Sequence, residues 1–229
     1  MGLGVYVGSL TRFYLDSPAA VVERIARQQR VPYTVVHGEH GEHGDRLGAG
    51  RSVGDVLGAA VSAWREELQR GLGDRLAGPL DWEESLLAPC WTDKPGWDGY
   101  GALLLLAAHD EHPELPAPAR VSADWPDDPA YQAALDAGAR SRYHQLLTPE
   151  LWLPCRFGFT FRTVDLTGQE LEVGSSVALL AQLELLERCF RDCHRGGHPL
   201  AAAAARGLAA LLDMTRRAVE HRLPMRLDY

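Results

Sequence analysis

Residues 98–109 read DGYGALLLLAAH and include the longest uninterrupted apolar run of the chain, residues 102–108. The run is far shorter than the roughly 20 apolar residues that cross a bilayer. Its spacing predicts a helix that stops before Pro113. Because this helix is apolar on most sides, we expect it to lie at the centre of a soluble core.

Two helices are predicted upstream of this segment. Asp16-Ser17-Pro18 combines a capping residue with proline at the first helical position and predicts a helix over residues 18–30. Ser52 and Asp55 have the spacing of a capping box, and apolar residues then recur at helical spacing to Leu72. This second pattern is the clearest amphipathic helix of the sequence.

Three more helices are predicted downstream. Asp128 and Pro129 open one whose expected buried stripe is Tyr131, Leu135, Ala139 and Tyr143. Ser175 or Ser176 caps a leucine-rich helix that reaches about residue 193. After the glycine pair at 196–197, Pro199 opens an alanine-rich helix that ends near residue 221. With the central helix, the total is about six.

Four segments between these helices have strand character. Residues 3–10 and 31–37 are rich in β-branched and aromatic side chains, and residues 151–153 and 157–164 look extended. Asp165-Leu166-Thr167-Gly168 has turn composition, so a β-hairpin is predicted near residues 157–173. The elements do not alternate as in a doubly wound fold, and the sequence therefore predicts a helix-rich α+β fold. Apolar stripes on both sides of the proline-rich segment 113–129 favour one compact domain over residues 1–229.

Composition narrows the classes of partner. The chain has 229 residues and a formal net charge of −8, and Lys94 is the one lysine among 23 basic residues. This charge argues against bulk electrostatic binding of nucleic acid. The sequence lacks a long apolar span, so we expect no membrane partner and a cytoplasmic location. Four cysteines are few for this length and are expected to be reduced.

Motifs for catalysis and cofactor binding are missing from the sequence. It has no GxSxG elbow, no phosphate-binding GxxxxGK[ST], no HExxH, and no GxGxxG between a strand and a helix. We therefore expect no cofactor, and no feature assigns an oligomeric state.

Two clusters carry metal-binding side chains. His37, His40 and His43 alternate with glycine and acidic residues, but this spacing is more typical of a flexible loop than of a rigid site. Cys189 and Cys193 precede His194 and His198, yet the spacing lacks the paired turns of zinc sites. For both clusters the sequence favours a role without a physiological metal.

The segment 91–102, WTDKPGWDGYGA, crowds polar groups and large aromatics directly before the central helix. It contains the acid–base candidates Asp93, Lys94 and Asp98, and a lysine is able to lose its proton where an arginine is not. A structural alternative makes Asp98 the N-cap of the helix and Lys94 a partner of Asp93, with the tryptophans covering the core.

A last candidate follows the first predicted strand. Arg12 and Tyr14 lie where that strand ends, a common place for site residues, and a guanidinium holds a carboxylate or phosphate bidentately. Anchoring of the Asp228-Tyr229 segment by Arg12 is an equally good structural account.

Three motifs together resemble an uncharacterised family of bacterial cytoplasmic proteins. They are Gly-Ser-Leu-Thr-Arg-x-Tyr at residues 8–14, Asp-Lys-Pro-x-Trp-Asp-x-x-Gly-Ala-Leu-Leu at 93–104, and Leu-Asp-Tyr at 227–229. The resemblance spans the whole length and implies no activity. The histidine and cysteine clusters are not part of it.

Two functional hypotheses remain. The first is a non-catalytic binding protein, such as an immunity protein, whose acidic surface and exposed aromatics dock a basic partner protein. The second is an enzyme that acts on a small anionic substrate, with Arg12, Lys94 and Asp98 in one pocket. The second hypothesis requires these three side chains to converge.

Overall fold

The computed structural model describes residues 2–29, 46–47, 51–193 and 199–229. These residues form eight α-helices and a mixed six-stranded sheet, which confirms the α+β fold. The strands are β1 Gly4–Val7, β2 Arg46–Leu47, β3 Arg51–Ser52, β4 Trp91–Asp93, β5 Leu151–Leu153, β6 Phe161–Val164, β7 Glu170–Ser175 and β8 Met225–Asp228. The helices are α1 Leu10–Leu15, α2 Pro18–Gln29, α3 Val53–Leu72, α4 Gly96–Glu111, α5 Pro129–Ala137, α6 His144–Leu147, α7 Ser176–Cys193 and α8 Ala201–Glu220.

The sheet has the order β4-β1-β8-β5-β7-β6, while β2 and β3 form a separate pair. Only β5 and β7 run parallel within the six strands. The predicted hairpin is confirmed as β6 and β7, whose turn is closed by hydrogen bonds to Asp165 and by Gly168 at φ +95°. The last strand in the sequence, β8, lies in the middle of the sheet beside β1.

Strand alternation gives the sheet two buried faces. Val5 and Trp152 lie on the face covered by α4, α5, α7 and α8. Leu151 and Leu153 lie on the opposite face, which is covered by α1, α2 and α3. The sheet is therefore the shared middle layer of two hydrophobic cores.

The central helix, α4, lies in the core as its sequence predicts. Residues 99–109 of α4 are all buried, and α4 packs closely along α8. The two backbones meet at Gly99 and Gly207, where a Cβ added to Gly207 would overlap the Gly99 carbonyl. The capping box is also confirmed, since Ser52 and Asp55 bond reciprocally at the start of α3.

The first predicted strand is shorter than expected. It ends at Val7, because Ser9 caps α1 and the Glu84 carboxylate accepts hydrogen bonds from the first two backbone N–H groups of that helix. The buried stripe of α5 likewise ends early. Gly138, at φ +54°, terminates the helix, and Ala139 is exposed.

Four short strands, β2, β3, β4 and β8, were not predicted, and the expected strand at residues 31–37 lies outside the described residues. The proposed N-cap role of Asp98 was wrong, because α4 begins at Gly96 and Asp98 lies within its first turn. None of the helices in the described ranges has the length together with the apolar composition that a bilayer span requires.

Candidate functional site

The structure separates the five candidate site residues into two groups. Arg12 and Tyr14 lie on α1 and line one cavity, whereas Asp93, Lys94 and Asp98 do not. The register explains the separation: Val7 is opposite Trp91, and Val5 is opposite Asp93. Because β1 and β4 are antiparallel, α1 follows the end of the pair that contains Val7 and Trp91. Lys94 follows the other end, which contains Val5 and Asp93.

The cavity beside α1 has a volume of about 460 Å³. Its floor is a row of three side chains on adjacent strands, because Tyr6 is opposite both Thr92 on β4 and Arg226 on β8. Arg12 and Phe13 of α1 contribute to its wall, and the turn between β6 and β7 closes another side. We call this space the β1 cavity. Arg12 shares it with Asp228, but no salt bridge of the described structure joins the two.

A buried polar cluster lies behind the β1 cavity. Arg226 Nη2 donates to Asp165 Oδ2 at 3.0 Å, and Arg226 Nη1 donates to the Tyr14 hydroxyl at 2.7 Å. The Tyr14 hydroxyl in turn donates to Asp165 Oδ2 at 3.2 Å. The other oxygen, Oδ1, accepts bonds from the Thr167 hydroxyl and from the backbone of Thr167 and Gln169. Both carboxylate oxygens of Asp165 therefore already accept hydrogen bonds from other protein groups.

These contacts set the protonation states of the cluster. Burial opposes the charge of Asp165, but the hydrogen bond from Thr167 and the charge of Arg226 outweigh it and lower the pKa of Asp165. Burial raises the pKa of Tyr14 and is opposed only in part by Arg226. At neutral pH the cluster is therefore an ionised Asp165–Arg226 pair bridged by a neutral tyrosine.

The second group of candidates lies near the opposite ends of the same strands. Gly4 has the carbonyl of Asp93 on one side and that of Asp228 on the other, so the ends of β4 and β8 flank β1. Trp97 is 47% exposed and Tyr229 is 61% exposed, and their ring centroids lie 6.1 Å apart.

Three acidic residues accompany this aromatic pair. Asp93 and Asp98 are exposed and close to Trp97 in the sequence, and a hydrogen bond links Tyr229 to Glu150. Burial is the first cause of the raised pKa of Tyr229, and Glu150 adds to it. We call the surface of Trp97, Tyr229, Asp93, Asp98 and Glu150 the aromatic–acidic patch. Lys94 is exposed, and its backbone N–H, rather than its ammonium, bonds to Asp93 Oδ1 at 2.7 Å.

The expected surface of exposed tryptophans is smaller than the composition suggests. Trp64, Trp82 and Trp152 are buried, whereas Trp91 and Trp125 are half-buried against the core. Trp97 remains as the exposed tryptophan. The aromatic–acidic patch therefore depends on one tryptophan and one tyrosine.

A groove of about 760 Å³ lies between α2, α3 and β6. Most of its α3 wall is apolar, with alanine, valine, leucine and tryptophan side chains. Asp165 borders the groove, but its carboxylate oxygens are occupied by the contacts given above. The groove offers apolar contact and no assembled acid–base pair.

The metal candidates gain no support from the described residues. Within those ranges, no group of three or more histidine, cysteine or acidic side chains is placed to hold a metal ion. His37, His40 and His43 lie outside the described residues, as do His194 and His198. Cys90, Cys155 and Cys189 are free thiols, and burial raises the pKa of Cys189.

Sequence reasoning missed Asp165 and Arg226 as partners. Asp165 was recognised only as a turn residue, and residues 225–228 were not assigned to a strand. The alternation of Met225, Arg226 and Leu227 was the available signal, because it places a charged side chain opposite the apolar face of a strand.

No protein-family model, curated protein or solved structure matches the chain.

Proposed function

We propose that this chain is a non-catalytic binding protein that docks a basic partner protein at the aromatic–acidic patch. The exposed Trp97–Tyr229 pair carries the proposal. Large aromatic rings are the side chains that contribute most to protein interfaces. Asp93, Asp98 and Glu150 beside them favour a partner with lysine or arginine at the contact.

Sequence and topology both support this assignment. The patch contains residues from two of the motifs that resemble the bacterial family, residues 93–104 and 227–229. Residues far apart in sequence meet there because β4 and β8 flank β1. In our proposal the protein acts in the cytoplasm in the manner of an immunity protein, covering its partner rather than modifying it.

The alternative enzyme hypothesis loses its proposed acid–base pair. Arg12 lines the β1 cavity, whereas Lys94 and Asp98 do not, so this geometry supports the enzyme hypothesis less well than the docking proposal.

Affinity capture with matched variants tests the docking proposal. Trp97→Ala removes the exposed ring of the patch, and Leu87→Ala, at a side chain that is 95% exposed elsewhere, is its control. Asp98→Asn removes one patch charge, and Asp136→Asn removes an exposed charge on α5.

The expected partner binds stoichiometrically to the wild type and to both controls. Trp97→Ala weakens this binding about tenfold or more, as is typical of a hot-spot residue. Asp98→Asn weakens binding at low salt more than at high salt, because salt screens exposed charges. Equal binding by all four variants, or failure to recover a stoichiometric partner, refutes the proposal.

A further inference from the structure

The β1 cavity contains a positively charged group that its protein neighbours use only in part. Arg226 donates one N–H to the Tyr14 hydroxyl and another to Asp165 Oδ2. Among the described residues, no further hydrogen-bond acceptor contacts this guanidinium. Arg226 lines a cavity of about 460 Å³, a volume within the usual range of small-molecule sites.

This guanidinium is held in place before any ligand arrives. Arg226 is only 13% exposed at its side chain and lies 4.9 Å from the centre of the Phe13 ring. Asp165, which fixes one edge of Arg226, is itself fixed by Thr167 and Gln169. A donor held by packing and by a second layer of hydrogen bonds is the arrangement that favours binding.

A second cation faces the same space. Arg12 lies in the wall of the cavity, and its charge acts on the Tyr6 hydroxyl at the floor. Arg12 and Arg226 therefore both line the space in which a carboxylate would bind. Guanidinium groups suit this task because their N–H donors match the oxygens of a carboxylate.

The cavity also carries negative charge, which argues against a simple anion as its ligand. Asp16 and Asp228 are both exposed at the cavity, and Asp165 already balances the charge of Arg226. An anion would thus meet repulsion as well as attraction. A molecule with one positive and one negative group satisfies both kinds of side chain.

The geometry points to the β1 cavity as a binding site for a small zwitterion such as an apolar α-amino acid. Its carboxylate binds between Arg12 and Arg226, and its ammonium faces Asp16 or Asp228. The half-buried ring of Phe13, which packs 5.3 Å from the buried ring of Tyr6, provides an aromatic surface for its side chain. This site uses none of the side chains that define the aromatic–acidic patch and does not rest on the docking proposal.

Isothermal titration calorimetry with three related probes tests this assignment. L-phenylalanine carries both charges, 3-phenylpropanoate carries only the carboxylate, and phenethylamine carries only the ammonium. We expect L-phenylalanine to bind at least about tenfold more tightly than either single-charge analogue. No binding of L-phenylalanine or L-leucine up to about 10 mM overturns the proposal, as does equal affinity for 3-phenylpropanoate.

Variants locate the binding. Arg12 is exposed, so Arg12→Gln leaves the fold intact and is expected to weaken L-phenylalanine binding about tenfold or more. Arg188→Gln, at an exposed arginine of α7 on the other side of the sheet, is the matched control and leaves the affinity unchanged. Equal loss in both variants, or loss in neither, places the ligand elsewhere and refutes the site.

Discussion

Asp165 combines nearly complete burial with a full set of hydrogen-bond donors. Its side chain is 1% exposed and is paired with Arg226 at 3.0 Å. Removing one partner of such a pair leaves the other charge buried without compensation. We expect Asp165→Asn to lower the free energy of unfolding by about 3 kcal/mol in urea titrations at pH 7.

An exposed ion pair provides the control for this substitution. Asp213 and Arg217 are paired at 2.8 Å on the surface of α8, with side chains 56% and 37% exposed. Asp213→Asn is expected to change the free energy of unfolding by less than about 1 kcal/mol, as is usual for surface pairs. Similar losses in the two variants would contradict the importance assigned to burial.

The contribution of Asp165 also depends on pH. Its folded-state pKa lies below that of an unfolded aspartate, which is about 3.9. As the pH falls, the unfolded chain takes up the proton first, so the stabilisation is present above about pH 4 and is lost as the pH passes through the folded-state pKa. The stability difference between the wild type and Asp165→Asn should therefore narrow as the pH falls below about 4. A constant difference would show that the carboxylate charge is not its source.

Among the helices, the crossing of α4 and α8 is the contact with the least space. A Cβ at Gly207 would lie 2.2 Å from the Gly99 carbonyl oxygen, and a backbone atom cannot move aside as a side chain can. Gly207→Ala is therefore expected to lower the free energy of unfolding by about 3 kcal/mol or more, as overpacking does in a tight core. Thermal and urea unfolding measure the loss.

Substitution of a second helical glycine distinguishes the effect of packing on stability from the effect of backbone entropy. Gly71 lies in α3, and an added Cβ there meets no atom within 4 Å. Gly71→Ala should raise the free energy of unfolding by about 0.5–1 kcal/mol, because alanine loses less conformational freedom on folding. Similar destabilisation by both alanines would contradict the steric explanation for Gly207, because a Cβ at Gly71 meets no neighbouring atom.

The elements that sequence predicts well are those specified by their own residues. The capping box of Ser52 and Asp55, the apolar α4 and the Asp165 turn all depend on contacts within a few positions. The strands β4 and β8 are only three and four residues long, and they form because β1 pairs with both. A sequence pattern of three or four residues is too short to predict a strand that forms by pairing with a segment distant in sequence.

The same limit separates the two groups of candidate site residues. The sequence shows that Arg12 follows β1 and that Asp93 lies near the central helix, but it does not give the register between their strands. The antiparallel register of β1 and β4 directs Arg12 and Lys94 to different ends. Likewise, Asp165 and Arg226 meet only because β8 inserts beside β5, and β5 pairs with β7.

At the scale of the whole molecule, the sheet contributes side chains to both cores, and we expect the two cores to unfold as one cooperative unit. Trp152 on β5 lies in the core beneath α7, while its neighbours Leu151 and Leu153 lie in the core beneath α3. Loss of either core removes the packing of one sheet face and weakens the strands that the other core needs. In a two-lobed arrangement, one core would instead remain folded after the other had unfolded.

Two cavity-forming variants distinguish these cases. Leu183→Ala in α7 and Leu57→Ala in α3 each truncate a fully buried leucine, one in each core. Each should lower the free energy of unfolding by about 2–5 kcal/mol. In both variants, the transitions followed by tryptophan fluorescence and by far-ultraviolet circular dichroism should still coincide, because unfolding of one face removes the sheet from the other. A split transition in only one variant would mean that the cores unfold independently and that the chain contains two units.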